Sequence, residues 1–165
     1  MQNAVISIRK AEDRDTAAIW RILEPIIREG CTYTLPSDLS QEESLRYWRA
    51  PAHEVFIAES AGEIVGTYYM RPNQAGGGSH VANCGYMTAS WAAGRGIARA
   101  MCALSLEHAK AQGYRAMQFN FVVSTNVRAV RLWQKFGFDI VGRLPHAFKH
   151  PRLGYVDALV MYRNL

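Results

Sequence analysis

Apolar and polar positions alternate over Ala4–Arg9, which predicts a first strand. The period then changes. Ile19, Ile22, Leu23, Ile26 and Ile27 fall on one face of a helix from Thr16 to Arg28, capped by Asp13 or Asp15, with Pro25 placed to kink or divide it. Ser40 and Glu43 stand in capping-box spacing at the head of a second short helix, Ser40–Arg49. Val55–Ser60 and Glu63–Met70 flank Ala61-Gly62, a two-residue loop suited to a hairpin, and His80–Thr88 forms a further apolar strand. Gly96–Gln112 is the clearest helix, with Ile97, Met101, Leu104 and His108 near one stripe and Gly113 at its end. Arg115–Val123 is a strand, Asn126–Phe136 a helix stopped by Gly137, and Phe138–Gly142 and Val156–Tyr162 the last strands. The order β-α-α-β-β-β-α-β-α-β-β predicts an α/β or α+β domain with helices interleaved among strands. The loosest stretch is Pro72–Ser79, where three glycines mark a mobile loop.

At 165 residues with 49% hydrophobic and 20% charged positions, the chain is expected to form one domain, 1–165, with an ordinary core. Disorder and a disulfide-stapled miniprotein are excluded. Cys31, Cys84 and Cys102 each sit in an apolar run without CxxC pairing, as buried free thiols of a reducing compartment do. No run reaches a membrane span and the amino terminus has no secretory apolar region, so the expectation is a cytoplasmic protein with no membrane partner. His80, His146 and His150 are scattered and suggest no metal site.

Charge is unevenly spread. Residues 1–89 hold 8 Lys/Arg and 11 Asp/Glu, whereas residues 90–165 hold 11 Lys/Arg against Glu107, Asp139 and Asp157 alone. The second half therefore suits a polyanionic small molecule, a nucleic acid or merely solvent. Its bases are scattered singly, without the dense basic and aromatic run of a nucleic-acid surface, so no nucleic-acid partner is expected. Within that half, Ala93-Gly94-Arg95-Gly96-Ile97-Ala98 follows a strand and opens the best helix. Unpaired amides and a positive dipole end make such a turn an anion site. Arg95 and Arg99 lie where the dipole disfavours cations, a conflict an anionic ligand resolves. The spacing matches neither a Walker loop nor a dinucleotide fingerprint; an ordinary turn is the other reading.

This segment resembles the phosphate turn of the GNAT superfamily of acetyl-CoA-dependent N-acetyltransferases, Gln/Arg-x-x-Gly-x-Gly/Ala, through Gly96 and Ala98, with Ala93 departing at the Gln/Arg position. Asn126-x-x-Ala-x-x-Leu-Trp133-x-x-x-Gly137-Phe138 is similar to the family's Asn-x-x-Ala-x-x-Leu-Tyr-x-x-x-Gly-Phe helix at identical spacing. The resemblance implies a mixed, mostly antiparallel sheet splayed between strands four and five and flanked by helices. It implies that Gly94, Arg95, Gly96, Ile97, Ala98 and Arg99 cradle the pyrophosphate of acetyl-CoA. It further implies that Met87, Thr88 and Ala89 pair with the pantetheine arm, and that Asn126 and Trp133 adjoin it, Asn126 serving also, or only, as a helix cap.

Acetyl transfer needs a neutral amine, a polarised thioester carbonyl and a proton for the departing thiolate. The family's usual donor Tyr is replaced by Trp133, so Tyr162, a water or an unassisted thiolate are the alternatives. Glu29 is a candidate remote base acting through water, and Asp157 a structural partner. The blocks Asn83-Cys-Gly-Tyr, Phe119-Asn-Phe-Val and Gly154-Tyr-Val-Asp-Ala are similar to the fungal L-azetidine-2-carboxylate N-acetyltransferases. That resemblance makes Asn83 and Asn120 the catalytic, substrate-positioning candidates; structural bonds across the split sheet are their alternative role. Tyr33 and Thr34, in the loop after the first helix, are acceptor-contact candidates. The expected reaction is direct acetylation of a small-molecule amine, an amino acid or analogue. The alternatives are an antibiotic or protein amino terminus as acceptor, or a non-catalytic acyl-CoA-binding regulatory domain. Homodimerisation is expected by analogy.

Overall fold

The computed structural model describes residues 5–165, so Ala4 of the expected first strand lies outside the described residues. The chain runs β1 (Ile6–Lys10), α1 (Thr16–Glu29), α2 (Gln41–Trp48), β2 (Glu54–Ser60), β3 (Glu63–Pro72), β4 (Val81–Thr88), α3 (Ile97–Ala111), β5 (Ala116–Val123), α4 (Val127–Lys135), β6 (Asp139–His150) and β7 (Gly154–Asn164). The strands form a single seven-stranded sheet in the order β1-β2-β3-β4-β5-β7-β6. Every neighbouring pair is antiparallel except β4–β5.

Local chemistry accounts for most boundaries. Asp15, buried, accepts both Arg9 guanidinium nitrogens at 2.8 and 2.9 Å and the Glu12 amide at 2.7 Å, which fixes the entry to α1. The helix continues through Pro25. Loss of one backbone donor there is offset by Ile19, Ile22, Leu23 and Ile27, all at most 2% exposed. Ser40 and Glu43 form the expected capping box of α2. Ala61 and Gly62 both take positive φ, 52° and 79°, the left-handed pair that closes a two-residue hairpin with the sheet's own twist.

Two expectations are corrected. Leu104 is 36% exposed, and α3 instead turns Ile97, Met101, Cys102, Ser105, Leu106 and Ala109 inward. Ser105 lies on that face against the Tyr86 hydroxyl, 2.7 Å away, and a small polar residue at a contact carries no signal in an apolar pattern. Strands β6 and β7 run over 12 and 11 residues, well beyond the expected Phe138–Gly142 and Val156–Tyr162. β6 is an edge strand exposed along most of its length, so no burial enforces alternation on it. The ladder also slips between Leu144 and Phe148, where His146 takes φ 52°.

Buried side chains fall into two clusters. One gathers α1, Trp48 and the β2–β3 strands; the other gathers β5, β7, Cys102, Leu106, Trp133 and Phe138. Tyr86 packs against both, where β4 meets β5.

Candidate active site

β4 and β5 pair only at Val81–Ala116 and Ala82–Met117, then part. Asn83 makes the next tie, its Nδ2 donating to the Gln118 carbonyl at 2.9 Å. Side chains alternate along a strand, so Tyr86 projects from the other face. Its hydroxyl lies 2.7 Å from Ser105 Oγ on α3 and 3.7 Å from Met117 Sδ on β5. The split therefore has a fixed base. Gly85 lets Tyr69 lie against β4, since a Cβ there would come within 2.6 Å of the Tyr69 ring.

Backbone alternation decides what faces the gap. The Ala89 amide donates to the Val65 carbonyl and the Asn73 amide to the Val81 carbonyl, so odd-numbered residues of β4 spend their main chain on β3. Cys84, Tyr86 and Thr88 turn theirs toward the split. Of the expected pantetheine contacts, Thr88 alone offers gap-facing main chain; the Ala89 amide is already paired. The Tyr86 carbonyl accepts the Tyr33 hydroxyl at 2.8 Å, and the Tyr33 ring rests edge-on against Trp48, 6.1 Å between centroids. Tyr33 thus closes the split from the α1–α2 loop, while Thr34 is exposed. Burial holds the Tyr33 and Tyr86 hydroxyls well above their ordinary pKa and pushes the Cys84 and Cys102 thiols up to about 12. A thiol so strongly protonated is a poor nucleophile.

The two asparagines, equivalent in sequence, differ in three dimensions. Asn120 donates to Asn73 Oδ1 at 2.7 Å and accepts from Gln118 Nε2 at 2.9 Å, so both its polar ends are engaged. Asn83 is 5% exposed, and bonding to a carbonyl fixes which end is the amide nitrogen. Its Oδ1 has no partner among the described residues. Asn73 and Gln118, which the pattern did not single out, complete this polar floor. Gln118 and Asn120 at i and i+2 of an apolar strand were a legible sign of a polar face; Asn73 gave none.

At the open end of the split, Gly94 and Gly96 have φ of 78° and 79°, and Gly96 is the α3 N-cap without a side-chain cap. The first helical bond is Ala100 amide to Gly96 carbonyl, 3.0 Å, so the amides of Ile97, Ala98 and Arg99 have no acceptor within the helix. No acid stands in the first turn. Arg95 and Arg99 are exposed, and Arg95 reaches only the Trp91 carbonyl at 3.2 Å. Free amides, two arginines and open space beside both glycines fit the diphosphate of acetyl-CoA.

Asn126 caps α4, accepting the Ala129 amide at 3.4 Å, and lines a cavity of about 360 Å³ with Glu29, Cys31, Thr32, Thr125, His150, Arg152 and Leu153. Trp133 is 8% exposed, its ring 5.0 Å from Tyr86 and 5.1 Å from Phe119 in the core. Tyr162 lines a separate cleft of about 480 Å³ with His80, Tyr114 and Arg115. Asp157 accepts Arg143 at 2.8 Å and the His146 amide at 3.0 Å, contacts that hold it below the usual carboxylate range and tie it into the β6–β7 hairpin. Among the described residues, no three His, Cys, Asp or Glu are grouped to hold a metal.

The chain is 41% identical to a GCN5-related N-acetyltransferase from Kribbella flavida, with a TM-score of 0.93 over 97% of this chain and 98% of that one. It is 32% identical to the N-acetyltransferase aca1 of Schizosaccharomyces pombe over 98 residues, 59% of this chain and 47% of that protein; the match thus spans about half the length of that relative. A phosphinothricin acetyltransferase from Sinorhizobium meliloti in complex with AcCoA shares the fold at 19% identity and a TM-score of 0.83, over 97% of this chain and 88% of that one. The profile of the acetyltransferase (GNAT) family matches residues 13–138, which contain the split, the polar floor and the glycine turn, and the chain belongs to that family.

Proposed function

We propose that the protein transfers acetyl from acetyl-CoA directly to the amine of a small molecule, an amino acid or analogue. The observation that carries this reading is the β4–β5 split, which leads from the bare N-terminus of α3 to the unpartnered Oδ1 of Asn83. The Ile97–Arg99 amides, with Arg95 and Arg99, would hold the diphosphate, and Thr88 main chain would meet the pantetheine arm. Acetyl-CoA supplies the reactive thioester. Asn83 Oδ1 would accept an N–H of the incoming amine and aim its lone pair, while Asn120, braced by Asn73 and Gln118, keeps the floor in register. The protonated thiol of Cys84 favours direct transfer over an acyl-enzyme. Proton removal is assigned to Glu29 acting through water, since the described side chains of the split itself offer no carboxylate or imidazole.

The reading is tested by CoA-thiol release from acetyl-CoA with a panel of cyclic and acyclic amino acids, aminoglycosides and peptides, each product confirmed by mass. Acetylated amino acid is the expected result; acetylation of peptides or aminoglycosides alone would replace the acceptor. Trp133 at the usual acid position favours a second reading, acyl-CoA binding without transfer. Tight binding with silence across the panel is its signature. We further infer a cytoplasmic homodimer. No described helix is long and apolar enough to cross a membrane. The exposed edge strand β6, with Ile140, Val141 and Leu144 at 41, 60 and 39% exposure, suits pairing with a second copy.

A further inference from the structure

The Asn126 cavity is assembled from three distant segments: the end of α1 with the loop after it, the β5–α4 junction, and the β6–β7 turn. Its lining mixes polar and apolar surface and carries both charges, with Glu29 and Arg152 held 3.9 Å apart at their nearest atoms. Thr32 and Thr125 add hydroxyls.

His150 is the decisive residue. It is 7% exposed, yet it lines the cavity. Its Nδ1 lies 3.2 Å from the Arg152 amide and 3.3 Å from the Leu153 amide. Both are fixed main-chain donors, so Nδ1 accepts and the ring hydrogen sits on Nε2. Nε2 has no hydrogen-bond partner among the described residues. That N–H opens onto the cavity with no protein acceptor and is free to donate to a ligand or to solvent. The same turn brings the Arg152 guanidinium to the cavity, where its polar contacts among the described residues are the long ones to Glu29 and the Cys31 sulfur, 3.7 Å. A neutral N–H donor beside a weakly paired guanidinium is a carboxylate receptor.

We propose that His150 and Arg152 bind the carboxylate of the acceptor, which makes the substrate an α-amino acid or an analogue keeping its free carboxylate; this rests on the acetyltransferase reading above. Glu29 also lines the cavity, 3.9 Å from Arg152, and keeps the role in proton removal through water given above. His150 is a specificity residue and no base, because Nδ1 is spent on the turn.

The test pairs each accepted amino acid with its primary amide and its decarboxylated amine. Acetyl transfer is measured alongside calorimetric titration of the same compounds onto the CoA-loaded protein. The free acid is expected to be at least tenfold better in kcat/KM and in affinity. His150→Asn keeps an acceptor near the Nδ1 position for the turn amides and deletes the Nε2 donor. It is expected to raise KM for the acid about tenfold, leaving kcat, CoA affinity and the amide's KM nearly unchanged. Arg152→Ala, at an exposed side chain, is expected to do the same without risk to folding. Equal use of acid, amide and amine, or an acid KM unmoved by both variants, overturns the proposal, as does absence of binding by every acid. Carboxylate-dependent binding without transfer leaves this site standing and overturns the catalytic reading alone.

Discussion

Gly96→Asp separates the stability of α3 from its use as an anion site. Gly96 is an exposed N-cap at φ 79° with nothing within 4 Å of a Cβ, so the substitution meets no neighbour, but the left-handed backbone strains an L side chain there. Aspartate tolerates left-handed backbone better than most residues, and its charge is favourable at the positive end of the helix dipole. The free protein is therefore expected to lose about 1 kcal/mol, as is a Gly96→Asn control. Binding of CoA tells the two apart. At about 6 Å and an effective dielectric of about 40, each carboxylate–phosphate pair costs about 1.4 kcal/mol, and two phosphate charges cost about 3 kcal/mol. The dissociation constant for CoA should then rise roughly a hundredfold. Gly96→Asn has the same shape and backbone tolerance without the charge and serves as the control. Calorimetric titration of CoA into all three proteins, in low salt and in about 0.5 M salt, reads the effect, and screening should shrink the Asp–Asn gap. An affinity for Gly96→Asp within threefold of Gly96→Asn, or a gap indifferent to salt, refutes the placement of the phosphates at this turn.

Other outcomes follow from the geometry. Asn83→Ala strands the Gln118 carbonyl at the base of the split; a loss of about 1–3 kcal/mol is expected, read as a fall in melting temperature, with turnover dropping far more than CoA affinity. Turnover equal to wild type would remove Asn83 from the site. Arg9 holds the Asp15 carboxyl at about 2 against 3.8 for the free group. A depressed value stabilises the fold above the unfolded value and is lost as pH falls from 3.8 toward 2, about 2 kcal/mol in all. Asp15→Asn should abolish that part of the acid dependence of urea unfolding, and an unchanged acid limb contradicts the linkage. Val141→Lys, on the exposed edge strand, should shift a dimer to monomer by light scattering, whereas a wild-type protein that is already monomeric ends that inference.

The sequence by itself determined the order of elements, because each helix buries one face and so carries its period, while the inner strands β2, β3 and β4 bury both faces and read as apolar runs between turns. It also determined the four places where local chemistry is self-contained. The Ser40–Glu43 box and the Ala61-Gly62 hairpin need only neighbours a few residues away, and so do the Gly94–Gly96 turn and the Asn126 cap. Tertiary structure decided everything that depends on contacts between distant segments. Asn83 and Asn120 read alike until Asn73 and Gln118 engaged one and left the other an open oxygen. Tyr33 was a loop residue until its hydroxyl reached the Tyr86 carbonyl 53 positions away. The far half of the β6–β7 hairpin, beyond Phe138–Gly142 and before Val156, lay outside the reach of periodicity, since the exposed edge strand β6 has little buried face to mark it. With it went His150 and Arg152, which meet Glu29 only because β7 returns alongside β5 and carries their turn back over the end of α1.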